Sequence, residues 1–182
     1  IGLLRQTRPE FAEPRSIELV VIKTTGDRVD DKMLKDLGGK GMFSKEIDEA
    51  LLDGRIDLGI HSMKDLPSIL PDGIALHSIL PREDVRDAFI SPVAPTLDAL
   101  PSGSTVGTSS LRRRAQILNR RPDLKVVPIR GNVDTRLQKL STGAADATLL
   151  ALAGLKRLGK DASATSVFDI TDMLPAVSQG AL

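Results

Sequence analysis

The tightest constraint on the fold is a strand–helix alternation between Thr105 and Gly159. A short strand ending at Gly107 leads into a helix over residues 110–119, with Ser109 or Ser110 placed to cap it. Residues 125–129 predict the next strand, and residues 133–140 a helix closed by Gly143. A strand over 147–150 and a helix over 153–158, stopped by Gly159, complete the series. Helices recurring between short apolar strands are the crossovers of a parallel sheet, so the pattern predicts an α/β fold with largely parallel pairing. Upstream, residues 17–22, 56–61 and 74–80 read as strands. Ser44 is placed to cap a helix whose Ile47, Ala50 and Leu51 share a face and which Gly54 stops. The proline-containing stretch 80–101 reads as a domain boundary.

Charge gives the second constraint. Between Leu111 and Leu140 stand Arg112, Arg113, Arg114, Arg120, Arg121, Lys125, Arg130, Arg136 and Lys139, opposed only by Asp123 and Asp134. The whole chain is nearly neutral, with Lys+Arg 25 against Asp+Glu 24. A local cationic patch on a neutral chain predicts a site for a particular anion.

Four constellations could build that site. In GTSSLRRR, Gly107, Thr108, Ser109 and Ser110 bring hydroxyls and backbone N–H groups to a helix start, while Arg112 and Arg113 add planar forks for carboxylate or phosphate. The plain alternative is a capped surface helix with a solvated basic face. In RGNVDTR, Arg130 and Gly131 follow a strand, and Asn132 can cap the helix that carries Arg136. Open α/β sheets bind ligands beyond the carboxyl ends of their strands, so both stretches, with Lys156 and Arg157, should converge on one cleft. In HSMKDLP, Asp65 stands beside Lys64. A carboxylate belongs in a cationic cleft only if something positive or proton-bearing is met there; the alternative is a turn capped by Asp65 before Pro67. GGKGMF, with Lys40 and Phe43, matches neither the Walker nor the Rossmann fingerprint and reads as a ligand-covering loop.

Composition excludes other chemistry. With Cys 0 and only His61 and His77, disulfides, a cysteine nucleophile and a His-rich metal site are all ruled out within this chain. Four phenylalanines, Phe11, Phe43, Phe89 and Phe168, are the only aromatics, too few for the stacking platforms of nucleic-acid binding. No apolar run approaches the ~20 residues of a membrane span. Ile1 to Glu10 lack the apolar segment of a signal peptide, so a non-secreted chain is expected.

Eight stretches in consistent order, TTGD, GGKGMFSKE, HSMKDLP, REDVRDAF, GTSSLRRRAQ, RGNVDTR, AGLKRLG and PAVSQGA, carry a resemblance that runs from about Ile17 to Leu182. They resemble the hydroxymethylbilane synthase (porphobilinogen deaminase) family. The resemblance implies a cytoplasmic, monomeric transferase that condenses four porphobilinogen units with loss of ammonia, for haem and other tetrapyrroles. It implies two periplasmic-binding-protein-like (type II) domains around a cleft. Asp65 would be the catalytic residue. Ser62, Lys64, Thr108, Ser109, Ser110, Arg112, Arg113, Arg130, Gly131, Asn132 and Arg136 would hold a dipyrromethane cofactor. Arg157, Gln179, Lys40 and Phe43 would meet the substrate. No metal, nucleic acid or membrane is implied.

The sequence departs from that pattern in three places. It stops at Leu182, so the family's third α+β domain, whose cysteine binds the cofactor, is expected to be absent and the chain inactive as it stands. An Arg/Ser ligand pair is expected to be missing at the Gly2–Leu3 junction, and Ser178 stands where the family usually has glycine. The rival reading from another class is a non-catalytic anion-binding module of the periplasmic-binding type.

Overall fold

Short apolar runs become strands here only where a neighbour completes their hydrogen bonds. The computed structural model describes residues 1–28 and 43–182. Its helices are α1 (Gly2–Thr7), α2 (Thr25–Arg28), α3 (Lys45–Leu52), α4 (Leu111–Arg120), α5 (Val133–Ser141) and α6 (Leu152–Arg157). Its strands are β1 (Asp87–Ile90), β2 (Thr105–Gly107), β3 (Lys125–Val127), β4 (Ala147–Ala151) and β5 (Ser166–Val167), in a single sheet ordered β3-β2-β4-β1-β5.

The sheet is mixed, not largely parallel. β2 runs parallel to β3 and β4, as the helical crossovers require. β1 and β5 add antiparallel pairs: β1 with β4 in the register Phe89↔Leu149, and β1 with β5. β1 precedes every crossover helix of the sheet, so no connection forces it parallel. It also lies inside the stretch 80–101 that reads as a domain boundary, yet all four of its residues are buried.

Strand alternation divides the core between the two sheet faces. Phe89, Val106, Ala147 and Leu149 meet Ile117 of α4, with Leu97, Leu100, Leu124 and Met173 around them. Ala88, Ile90 and Leu150 meet Leu140, Leu152 and Leu155 from α5 and α6. Phe89 and Phe168 pack edge to face, with centroids 6.2 Å apart. Each large side chain so buried contributes about 1.5–3 kcal/mol relative to exposure.

The first half behaves differently. Its described residues form α1, α2, α3 and short 3-10 turns, and the strands expected over 17–22, 56–61 and 74–80 are absent. No described segment pairs with these stretches as a strand, so their apolar side chains stay in water: Leu19, Val20, Leu58, Ile60, Leu76 and Ile79 are exposed, and Val21 is 87 % exposed. β-Branched composition alone does not make a strand. α3 forms as expected and ends at Gly54 (φ +68), but Ser44 at its N-cap position makes no capping bond.

The halves meet along the returning segment 179–182. Met63 N donates to Ala181 O (3.1 Å), Leu80 N to Leu182 O (2.9 Å) and Glu83 N to Gly180 O (3.0 Å). Gly180 (φ +95) is required there, because a Cβ would lie 2.3 Å from the Glu83 carbonyl oxygen. Ser178, two residues earlier, adopts φ +59, the one left-handed non-glycine among the described residues.

Candidate functional site

The loop from β2 to α4 is held by its own hydroxyls. Ser109 Oγ donates to Ile129 O (3.2 Å), Thr108 Oγ1 accepts from Ser110 N (3.2 Å), and Ser110 Oγ caps α4 by accepting from Arg113 N (3.4 Å). Thr108 and Ser109 are buried. These groups fix the start of α4, and with it the direction of the two arginines that follow.

Both arginines turn onto Asp87, a carboxylate that sequence reasoning passed over. Arg112 Nη2 donates to Asp87 Oδ2 and Arg113 Nη2 to Asp87 Oδ1, each at 2.7 Å. Gln179 Nε2 donates to Oδ1 at 2.9 Å. Burial by itself would push the Asp87 carboxyl up; Arg113, then Arg112 and Gln179, outweigh it and hold the group below its ordinary value. Arg113 Nη1 also donates to Leu149 O (2.9 Å), and Arg112 donates to the Leu174 carbonyl. Arg113 Nε is buried without an acceptor.

The second candidate stretch, RGNVDTR, is built the same way. Asn132 Oδ1 accepts from Thr135 N (2.8 Å) and so caps α5. Gly131 has φ +112, and a Cβ there would lie 2.6 Å from Thr135 Cγ2. The bend lets Arg136 Nε donate to Gly131 O at 2.8 Å. Arg136 is held down to about 10, first by burial and then by the positive charges of Arg113 and Arg130, with Asp65 acting the other way. Arg130 is buried.

From the first half, a 3-10 turn at Met63–Asp65 brings Lys64 and Asp65 to this cluster. Lys64 is lowered, first by burial, then by Arg113; Asp65 and Asp87 oppose the shift and Arg136 adds to it. Its Nζ lies 3.5 Å from Gln179 Oε1. Asp65 is exposed, and no described residue donates a hydrogen bond to its carboxylate, so it is not a turn cap. It lines a cleft of about 270 Å³ with Phe43, Ser62, His61 and Thr24. A larger cleft, about 360 Å³ between α3 and residues 67–71, contains none of the expected site residues.

Lys64, Asp65, Arg113, Arg130 and Arg136 therefore stand within one electrostatic neighbourhood, contributed by both halves. Two expected residues stand apart from it or are already engaged. Arg157 is exposed and donates to Gly180 O (2.6 Å) at the joint. Gln179 is fully buried and turned inward, its Nε2 also donating to Val85 O (2.7 Å). Lys40 and the glycines beside it lie outside the described residues. The signal that could have found Asp87 is in REDVRDAF, where a carboxylate directly precedes an apolar run. A buried acid at a strand start requires cationic partners.

The family model "Porphobilinogen deaminase, dipyromethane cofactor binding domain" matches residues 3–182. The chain belongs to the porphobilinogen deaminase family. It is 60% identical over 179 residues to "Porphobilinogen deaminase, chloroplastic" of Oryza sativa subsp. japonica, covering 98% of this chain and 50% of that protein. It is 57% identical over 178 residues to "Porphobilinogen deaminase" of Nitrobacter winogradskyi, covering 98% of this chain and 56% of the relative. With the chloroplastic protein of Pisum sativum it shares 58% identity over 180 residues. The chain spans about half the length of the curated relatives it matches.

Proposed function

We propose that this chain carries the substrate- and cofactor-binding half of a hydroxymethylbilane synthase, which joins four porphobilinogen molecules head to tail and releases ammonia at each addition. The observation that carries this reading is Asp65: an exposed carboxylate with no hydrogen-bond donor among the described residues, set against Lys64, Arg113 and Arg136. A simple anion receptor would gain nothing from a negative charge at that place. A site that holds polycarboxylate pyrroles while a cation forms on them requires both signs of charge.

The residues fit dipyrromethane. Burial first, and then the positive charges of Arg113 and Arg136 on Lys64 and of Arg113 and Arg130 on Arg136, hold both groups below their ordinary values, and anionic side arms relieve the repulsive part. Arg113 keeps a buried Nε–H without an acceptor. When bound, the cofactor supplies the pyrrole end onto which units are added; the chain itself contains no cysteine for a thioether. Arg130, Arg136, Lys64 and the Arg112–Arg113 pair grip acetate and propionate groups, with Thr108, Ser109, Ser110, Gly131 and Asn132 fixing the helix starts behind them. Asp65 accepts the pyrrole N–H and offsets the cation left on porphobilinogen as its C–N bond breaks. The proton that leaves with ammonia passes at this carboxylate. Phe43 and Ser62 wall the cleft beside it.

In this reading, residues 1–80 and 81–180 form two periplasmic-binding-like domains, and the bonds at 179–182 are the joint between them. The enzyme is a cytoplasmic monomer in this proposal, although the relatives include chloroplastic proteins. Among the described residues no helix is long and apolar enough to cross a membrane.

The test is ammonia release from porphobilinogen by the full-length protein, beside equilibrium binding. Arg136→Leu is expected to lose porphobilinogen retention by at least about 10-fold, as charge-assisted contacts are worth roughly 1.5–3 kcal/mol. Porphobilinogen bound without ammonia release would favour the receptor reading instead.

A further inference from the structure

Among the described residues Asp87 is the only carboxylate in the buried interior, and its carboxylate accepts from three side chains, Arg112, Arg113 and Gln179. Its partners arrive from two separate parts of the chain: Arg112 and Arg113 from the start of α4, and Gln179 from the returning segment. Gln179 extends the link, since its Oε1 lies 3.5 Å from the Lys64 ammonium. Each arginine is fixed at both ends, on Asp87 and on a carbonyl: Leu174 for Arg112, Leu149 for Arg113. A buried ion pair is weak evidence of stability by itself, because apolar replacements are often as stable. What this one does beyond stability is orient cations.

We infer that Asp87 is a positioning residue: it sets the direction of Arg112 and Arg113 and, through Gln179, holds Lys64 beside Asp65. The inference deepens the function proposed above and rests on it for the identity of the ligand, while the contacts stand without it. The isosteric Asp87→Asn keeps an acceptor for one arginine and removes the other's, so Arg112 is released. Gln179→Met keeps both ion pairs and removes the link to Lys64 together with the Gln179 hydrogen bonds to Asp87 and Val85 O.

The experiment follows the titration of the Lys64 ammonium by NMR in the full-length protein, with lysine isotopically labelled and the signal assigned by its loss in Lys64→Arg. The charges facing Lys64 are Arg113, Arg136, Asp65 and Asp87. In Asp87→Asn the midpoint is expected to fall by about one pH unit, because an opposing charge has gone. In Gln179→Met it falls by less, because an acceptor for the charged form has gone. Porphobilinogen affinity should weaken about 10-fold or more in Asp87→Asn, with a smaller loss in Gln179→Met. An unchanged Lys64 midpoint and unchanged affinity in folded Asp87→Asn overturn the inference; if that variant does not fold, the same result in Gln179→Met overturns it. If the wild type binds no porphobilinogen but both variants shift Lys64, the ligand reading fails and the positioning role stands.

Discussion

Residues 87–90 and residues 17–22 are both short apolar runs beside charged residues, and they end in opposite states. The first is β1, buried throughout and bonded on both edges, to β4 and β5. The second pairs with no described segment, and Val21 is 87 % exposed. Composition does not separate them; partners do. A strand's free energy lies in cross-strand pairs and in burial of one or both faces, and both depend on segments far away in sequence. The same contrast runs through the site. The arginines of α4 and α5 stand on a paired sheet, whereas Asp65 stands on a 3-10 turn tied down by Met63 N on Ala181 O.

Core truncation should show the contrast at its largest. Leu149→Ala, at a fully buried side chain of β4, is expected to cost about 2–5 kcal/mol in urea unfolding. Val21→Ala should stay within about 0.5 kcal/mol. Equal losses would mean that the first half packs as tightly as the second.

A middle-sized effect is expected where the chain passes between the regions. Hydrogen bonds from Arg86 hold Asp84 down to about 2, and Lys156 lies 3.7 Å away. A carboxylate depressed in the folded state adds stability above its ordinary value, near ~3.9, and loses it as pH falls toward about 2. The gap in urea midpoint between wild type and Asp84→Asn should therefore be full at neutral pH and close on acidification. A gap that persists at the acid end would detach Asp84 from the joint.

Ser178 offers the smallest effect. Its φ of +59 is a conformation glycine adopts without strain. Ser178→Gly is expected to raise stability by about 0.5–1 kcal/mol, net of glycine's entropy in the unfolded chain. A loss on that substitution would show that the serine side chain contributes more than its backbone strain costs.

The sequence was most legible where local signals and partners agreed. β2, α4, β3, α5, β4 and α6 lie within two residues of their expected bounds because each strand is followed by a helix that returns the chain to the sheet. β1 was illegible: four residues are too few to show a period, and prolines flank the stretch. The upstream strands failed for the opposite reason, since propensity was present and no described segment pairs with them. In the site, the arginines, Lys64 and Asp65 were visible as residue types, but their convergence depends on tertiary contacts. Asp87 was hidden because its charge counted only toward an overall balance, whereas its burial made it the counter-ion of Arg112 and Arg113.

Asp65→Asn is the sharpest test of the proposal that a lone carboxylate performs chemistry among cationic side chains. The variant keeps size and much of the hydrogen bonding while removing the charge. Single-turnover ammonia release from porphobilinogen by the full-length protein is expected to fall by at least ~10²-fold, the range of a lost general acid–base group. Porphobilinogen binding should persist, because Arg130, Arg136 and Lys64 are untouched. Ammonia release at the wild-type rate would contradict the account and leave Asp65 a surface residue of a turn.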